Sequence, residues 1–520
     1  MERRNTVYSN CGNVVQEIPY DIWRHITGFL PSEEVKKLYR VNSMLLSISL
    51  DERYKSALIG SLFQIDTERS LNRLIDTDIS SRVRTFTFKP GHLCKLLRET
   101  ETHKQSEKTS DNTVSELLKA FGTMTLKPRK SFMVPSSRSQ MVAHAMPTHL
   151  ALRNVLKIMR QMTSLTSFRV EIRGEEHWYF KEISADFFAP GWAAFGVNLR
   201  TLELRIPLED MAKVLPPVGT ATLTSLETLY VQIIRASLTT SEGAIIMKQL
   251  LPFVNHHRRT LKSLTLDVAE QTNLSPFLLG LHHVPSLESF KLKQPFVSED
   301  ETDFTGLKHF FQMHRSHLTH FDIDMISTFT HYPTPYAFFA QDCFSVALPK
   351  LRGLSIHLHY FPPAYSEGIL PYIHQFKSTL VSLEVHEHRW ILGRLQTLVE
   401  GFSSTSTLKE LKICLTDFSP DVLLLLATNL PNLDTLNIDF ETLSPEGFPI
   451  PWRRDTPLFV DAMGQIKLPT WHLRVLDLNK PLHHSAPARM YCKFALVKAL
   501  PSVEYFCGLG PDEYLWTEAS

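Results

Sequence analysis

Asp421 to Asp439 reads DVLLLLATNLPNLDTLNID, and its two halves follow different periods. Val422 to Ala427 is a continuous apolar run suited to a buried helix, and Leu430-Pro431 breaks it. Leu433, Leu436 and Ile438 then follow as apolar-x-x-apolar-x-apolar. The last two alternate with polar residues, which is the period of a strand with one buried face. The unit is therefore helix, turn, strand. One such unit cannot bury its own apolar face, so it requires neighbours of the same kind.

Those neighbours are present in both directions. The same phrase begins at Leu165, Leu199, Leu226, Leu261, Leu287, Leu318, Leu351, Leu380, Leu408 and Leu473, weakly at Val503, and earlier at Val83. From Leu165 to Val503 the mean interval is about 31 residues, slightly longer than the roughly 20 to 29 of common leucine-rich repeats, which the pattern otherwise resembles. The expected fold class is α/β: an irregular leucine-rich-repeat solenoid over 148–520, with parallel strands on the concave side and helices on the convex side. The asparagine usual at the ninth repeat position is replaced by Pro207, Ile234, Ala269, Pro295, Thr416 and Glu441, which predicts irregular turns.

Upstream of the repeats the pattern changes. After Pro19, Ile22, Ile26 and Leu30 recur at helical spacing, which predicts a first helix over about 19–30. Ser32 is expected to cap a second helix bearing Val35 and Leu38, and a third runs from Asn42 or Ser43 to near Asp51. Residues 1–13 read as a flexible terminus, 14–60 as a three-helix unit and 61–97 as a first repeat or cap. Residues 98–147, with ETETHKQSEKTSDNT and KPRKSFMVPSSRSQ, read as a polar flexible insertion.

Composition bounds the function. The chain of 520 residues carries 55 Lys and Arg against 54 Asp and Glu, a formal net charge of +1, which argues against binding nucleic acid through bulk charge. Six dispersed cysteines without CxxC pairing favour a reducing compartment. The N-terminal segment lacks the apolar core of a signal peptide, and the longest apolar run is far short of the roughly 20 residues that cross a bilayer. A cytoplasmic or nuclear protein with no membrane partner is expected. There is no GxxxxGK[ST] phosphate loop, GxSxG elbow or HExxH helix. Gly401-Phe402-Ser403 and His386-Glu387-His388 have the wrong neighbours for a nucleophile elbow or a zinc helix. The expectation is a protein with no enzymatic activity and no cofactor.

The segment IPYDIWRHITGFLPSEEVKKLYRVNSMLLSISLDERY, residues 18–54, resembles an F-box of the kind common in fungal proteins. Ile18 and Pro19 stand for its Leu-Pro start, Ile22 and Ile26 for helix-one contacts, Leu30 and Pro31 for the helix end, and Leu38 and Val41 for contacts of the later helices. Ile18 replaces the usual leucine and Leu45 a frequent tryptophan. The resemblance implies that these eight residues dock on a Skp-type adaptor of a cullin-RING ubiquitin ligase while the repeats capture a protein substrate. The alternative is a leucine-rich-repeat interaction scaffold with no ligase role, in which the helices only cap the first core layer. A hydrolase with an unrecognised site is a third reading. The first two differ in how much apolar surface residues 18–48 leave exposed.

On the strands, residues between the buried positions face the hollow of the arc. Lys291 and Lys293 beside Asp322 and Asp324 form a mixed patch where a substrate could bind, together with His357 and His386. Asp324, His357, His386, Cys414 and Asp439 share the seventh position, with His359 and His388 at the ninth. His357, His386 and Cys414 are of zinc-ligating types, but no metal site is assigned, since exposed polar side chains are what this face must carry. Histidines here could also charge near pH 6.5 and make binding pH-sensitive.

Overall fold

The computed structural model describes residues 18–60, 65–89, 148–172, 187–217, 223–234, 242–269, 272–296, 303–327, 337–359, 361, 368–403, 407–443, 455–478, 486–508 and 510. The flexible terminus at 1–13 and the insertion at 98–147 lie outside them.

Each repeated phrase becomes one strand of a single parallel sheet. After β1 (Ser56–Ile59) come β2 (Thr85–Phe88), β3 (Ser167–Glu171), β4 (Thr201–Pro207) and β5 (Thr228–Ile234). The middle holds β6 (Ser263–Val268), β7 (Ser289–Phe296), β8 (His320–Ser327), β9 (Gly353–His359) and β10 (Ser382–Trp390). The series ends with β11 (Glu410–Phe418), β12 (Thr435–Leu443), β13 (Val475–Leu478) and β14 (Tyr505–Phe506). Among the described residues the sheet has fourteen strands in strict sequence order, so each pairs only with its neighbours in the chain. This is a solenoid-like α/β arrangement with one strand per coil.

The register follows from the phrase itself. The residue after each first-position leucine offers its carbonyl to two successive N–H groups of the next coil. Arg200 accepts from Glu227 and Thr228 at 2.8 and 2.9 Å, and Lys409 accepts from Asp434 and Thr435 at the same distances. Equivalent positions are thereby paired: Leu202 with Leu229, and Leu411 with Leu436. Along β5 burial alternates strictly, and the inward residues join one continuous core with helix residues such as Leu398, Val422 and Leu426. Each buried leucine contributes on the order of 1.5 to 3 kcal/mol. The other sheet face stays open between the strands' polar side chains.

Close approach of helices matters at Gly306. Its N–H donates to Ser275 Oγ at 2.7 Å, and a Cβ there would overlap the Ser275 backbone. Gly306→Ala is expected to lower stability by about 1 to 3 kcal/mol through overpacking, read as a fall in the urea midpoint. An unchanged midpoint would show that the two helices can separate freely.

The N-terminal helices form a unit with its own small core. Helix α1 (Tyr20–Thr27), α2 (Ser32–Val35), a 3-10 turn at Leu38–Arg40 and α3 (Ser43–Tyr54) bring Val35, Leu45 and Ile48 together with Tyr20, Trp23 and Leu38. Three boundaries differ from the sequence reading. Helix α1 stops at Thr27 because Gly28 and the turn that follows lead to Pro31. Pro31, and not Ser32, occupies the cap of α2, which is a single turn. Helix α3 extends to Tyr54, with the Asn42 side chain accepting from Leu45 N–H at 2.7 Å. Strand β1 pairs with β2, so the sheet begins inside the stretch read as the helical unit. Arg82 ties the two parts by pairing with Asp51 and donating to the Ser47 carbonyl.

Candidate functional site

Two surfaces carry residues that the core does not use. The first is the outside of the N-terminal helices. Ile22 and Ile26, four apart, share one side of α1 and are 50 and 43 % exposed, and Phe29 and Val41 reach 77 and 62 %. Ile18, Leu30, Tyr39 and Leu46 are exposed as well, so half of the exposed large apolar side chains among the described residues lie within 18–46. Pro19 and Pro31 are also exposed. Leu38 departs from the set: it packs against the small core and supports this surface from beneath. Beside these residues an open cleft of about 520 Å³ is lined by Arg24, Asp51, Lys55, Arg82 and Arg84 among others.

The second surface is the open sheet face from β7 to β12. Lys291 lies directly across from Asp322, with Nζ 2.5 Å from Oδ2, and Lys293 lies across from Asp324 at 3.7 Å. Asp324 is only 8 % exposed, and His359 Nε2 lies 3.4 Å from its Oδ1. Burial raises the Asp322 carboxyl pKa, and the Lys291 ammonium opposes that shift. The four charges thus answer one another across the strands. Lys291→Glu is expected to cost about 1 kcal/mol by placing like charges opposite each other, and adding Asp322→Lys should restore most of it. A double variant no more stable in urea than the single one would remove the pairing from the energetics.

Further along, Glu384 is a hub. Its Oε1 takes Lys412 Nζ at 2.6 Å, His386 Nε2 at 3.1 Å and His357 Nε2 at 3.5 Å. His357 and His386 stack as cross-strand partners, ring centroids 4.8 Å apart and nearly parallel. On its other side His386 Nδ1 is 3.2 Å from Cys414 Sγ, and Cys414 Sγ is 3.9 Å from Asp439 Oδ2. The seventh-position series is therefore assembled as expected, with Asp324 beside His357 and Cys414 beside Asp439. The zinc-ligating set read from sequence is corrected in one member. His357 turns its Nε2 to Ser355 and Glu384, while His386, Cys414 and Asp439 bring donor atoms within 4.8 Å of one another. The His388 side chain lies outside the described residues.

Electrostatics also corrects the expected switch near pH 6.5. Burial pushes the His357 imidazole down to about 4, whereas the contacts with Cys414 and then Glu384 hold His386 up at about 9. The Glu384 carboxyl is drawn down to about 2, first by His386. The two stacked histidines depart from the ordinary imidazole value in opposite directions, His357 favouring its neutral form and His386 its charged one. Glu384 and Lys412 were missed in the sequence, although both occupy the fifth phrase position and pair in register.

Cys343, Cys414 and Cys492 are in no disulfide, and no helix among the described residues is long and apolar enough to cross a membrane. The chain matches no known protein-family model, and no curated protein matches it in sequence.

Proposed function

We propose that the chain is a substrate receptor of a Skp-cullin-F-box ubiquitin ligase: residues 18–54 act as an F-box that docks on the adaptor, and a leucine-rich-repeat solenoid presents its open face to a protein substrate. The observation that carries this reading is the exposed apolar surface of Ile18, Ile22, Ile26, Phe29, Leu30 and Val41, on a unit that already has a core of its own. An apolar surface of that extent signals a partner. The one-strand-per-coil sheet supplies what a receptor needs beside it, a long row of addressable side chains facing solvent.

In this role the chain binds and positions, and catalyses nothing itself. Its place is with the cytoplasmic or nuclear ligase machinery. The test is direct binding of the purified full-length chain to a purified Skp-type adaptor, with affinity purification and mass spectrometry to identify the cullin and the substrate. A one-to-one complex with the adaptor is expected. Absence of binding at micromolar concentrations would overturn the receptor role and leave a scaffold without a ligase.

A further inference from the structure

We propose that His386, Cys414 and Asp439 form a site for one zinc ion on the open sheet face, with Glu384 holding His386 from behind. This does not depend on adaptor docking.

The distances carry the argument. Zinc bonds of about 2.0 to 2.3 Å in tetrahedral geometry place neighbouring donor atoms about 3.3 to 3.6 Å apart. The Nδ1 to Sγ distance is 3.2 Å, the Sγ to Oδ2 distance is 3.9 Å, and all three donors lie within 4.8 Å. The two pairs that include Sγ need shifts of a few tenths of an ångström, and rotation of the Asp439 carboxylate by about an ångström closes the remaining gap to His386, bringing an ion into contact with all three. The donors come from β10, β11 and β12: Cys414 and Asp439 are direct cross-strand partners, and His386 is held by its pairing with His357 of β9, the β10 to β11 register being interrupted after Val385.

The ligand types select the metal. A thiolate and an imidazole disfavour calcium and magnesium, which take oxygen donors, and suit zinc. Thiolate and carboxylate together carry the two negative charges that balance a divalent ion, and the ion displaces the protons of the Cys414 thiol and of His386 Nδ1, so the imidazole ligates in its neutral form. Each of the three residues is half-buried on an open face, which leaves an entry path and a fourth position for water. His386 turns Nδ1 to Cys414, and its buried Nε2 lies 3.1 Å from the Glu384 carboxylate without hydrogen-bond alignment, so a small ring rotation would let the carboxylate support it as outer partners of ligating histidines do. Lys412 pairs with Glu384 and not with the three donors. The other histidine group, His283, His314 and His317, offers no such site, because both ring nitrogens of His314 are engaged with backbone.

The full-length chain, stripped with a chelator, is titrated with zinc chloride by calorimetry and with cobalt(II) in the spectrometer. One equivalent bound at micromolar affinity or tighter is expected, with a thiolate-to-cobalt charge-transfer band. Cys414→Ser should abolish that band and weaken zinc binding by about 100-fold. Asp439→Asn, isosteric and read independently of any misfolding of the serine variant, should weaken it by about 10- to 100-fold. Glu384→Gln should cost about tenfold while keeping the band, as loss of an outer partner does. His357→Gln should leave affinity unchanged. Less than a tenth of an equivalent bound by the wild-type chain would overturn the proposal. So would a charge-transfer band that survives Cys414→Ser, or alkylation of Cys414 that zinc does not slow.

Discussion

Replacing Ile22 and Ile26 together by aspartate is expected to abolish binding of the full-length chain to a Skp-type adaptor and to leave the unfolding of the sheet unchanged. Both residues stand out from α1 and neither belongs to the small core, so the folded unit loses nothing that holds it together. In a complex, the two carboxylates would be buried among apolar groups with no partner, at a cost on the order of 4 kcal/mol or more. At roughly 1.4 kcal/mol per tenfold, affinity falls by about a thousandfold or more. Leu424→Asp is the control, because Leu424 is comparably exposed but belongs to the distant helix Pro420–Asn429. Full adaptor affinity in the Ile22→Asp/Ile26→Asp variant would sink the F-box assignment.

Acid should destabilise the solenoid through one buried imidazole. His314 is fully buried on the helix Thr305–His314, where Nδ1–H donates to the Phe310 carbonyl at 2.8 Å and Nε2 accepts from Val284 N–H at 3.1 Å. That pattern fixes the neutral tautomer. Burial, with the neighbouring histidines His317, His283 and His309 adding to it, pushes the pKa from 6.5 down to about 4. Between these values the unfolded chain binds more protons than the folded one, so the stabilisation is whole above pH 6.5 and is lost as pH falls towards 4. The loss amounts to about 3 kcal/mol. His257, also buried and held down at about 4, adds a loss of the same sign. Carboxylates titrate in the same range, so the measurement is a difference. Urea midpoints of the wild type and His314→Gln, whose amide can still accept from Val284, are compared at pH 7, 5 and 4. The variant should be less sensitive to acid. Equal slopes would place the acid response elsewhere.

The strands were legible because their signal is local and repeated: every phrase from Val83 to Val503 opens one of β2 to β14. Strand β1 was hidden because Ser56–Ile59 buries only Ile59 and lacks the phrase. The end of α1 fell a few residues before the expected one, because the chain turns at Gly28 ahead of Pro31, and Pro31 took the cap of α2 where a side-chain oxygen is more common. For the open face, aligning the phrases placed Asp324, His357, His386, Cys414 and Asp439 in one row, and the ladder agrees. Which neighbours touch was not legible. The β10 to β11 register is interrupted after Val385, yet His386 still meets Cys414, and rotamers decide that His357 turns to Ser355 and Glu384. Opposite shifts of two adjacent imidazoles depend on such contacts and on burial, neither of which a one-dimensional pattern encodes.

The in-order ladder makes the length of each connection irrelevant to the sheet. From the end of β2 at Phe88 the chain travels to Ser167 before β3 begins, whereas from Phe418 at the end of β11 it needs only to reach Thr435. Thr85 nevertheless meets Ser167 as Glu410 meets Thr435, phrase position against phrase position. What enters or leaves between two phrases therefore changes the outline of the protein without shifting any residue on its open face. The same architecture can gain loops or shed them while its open face keeps its spelling.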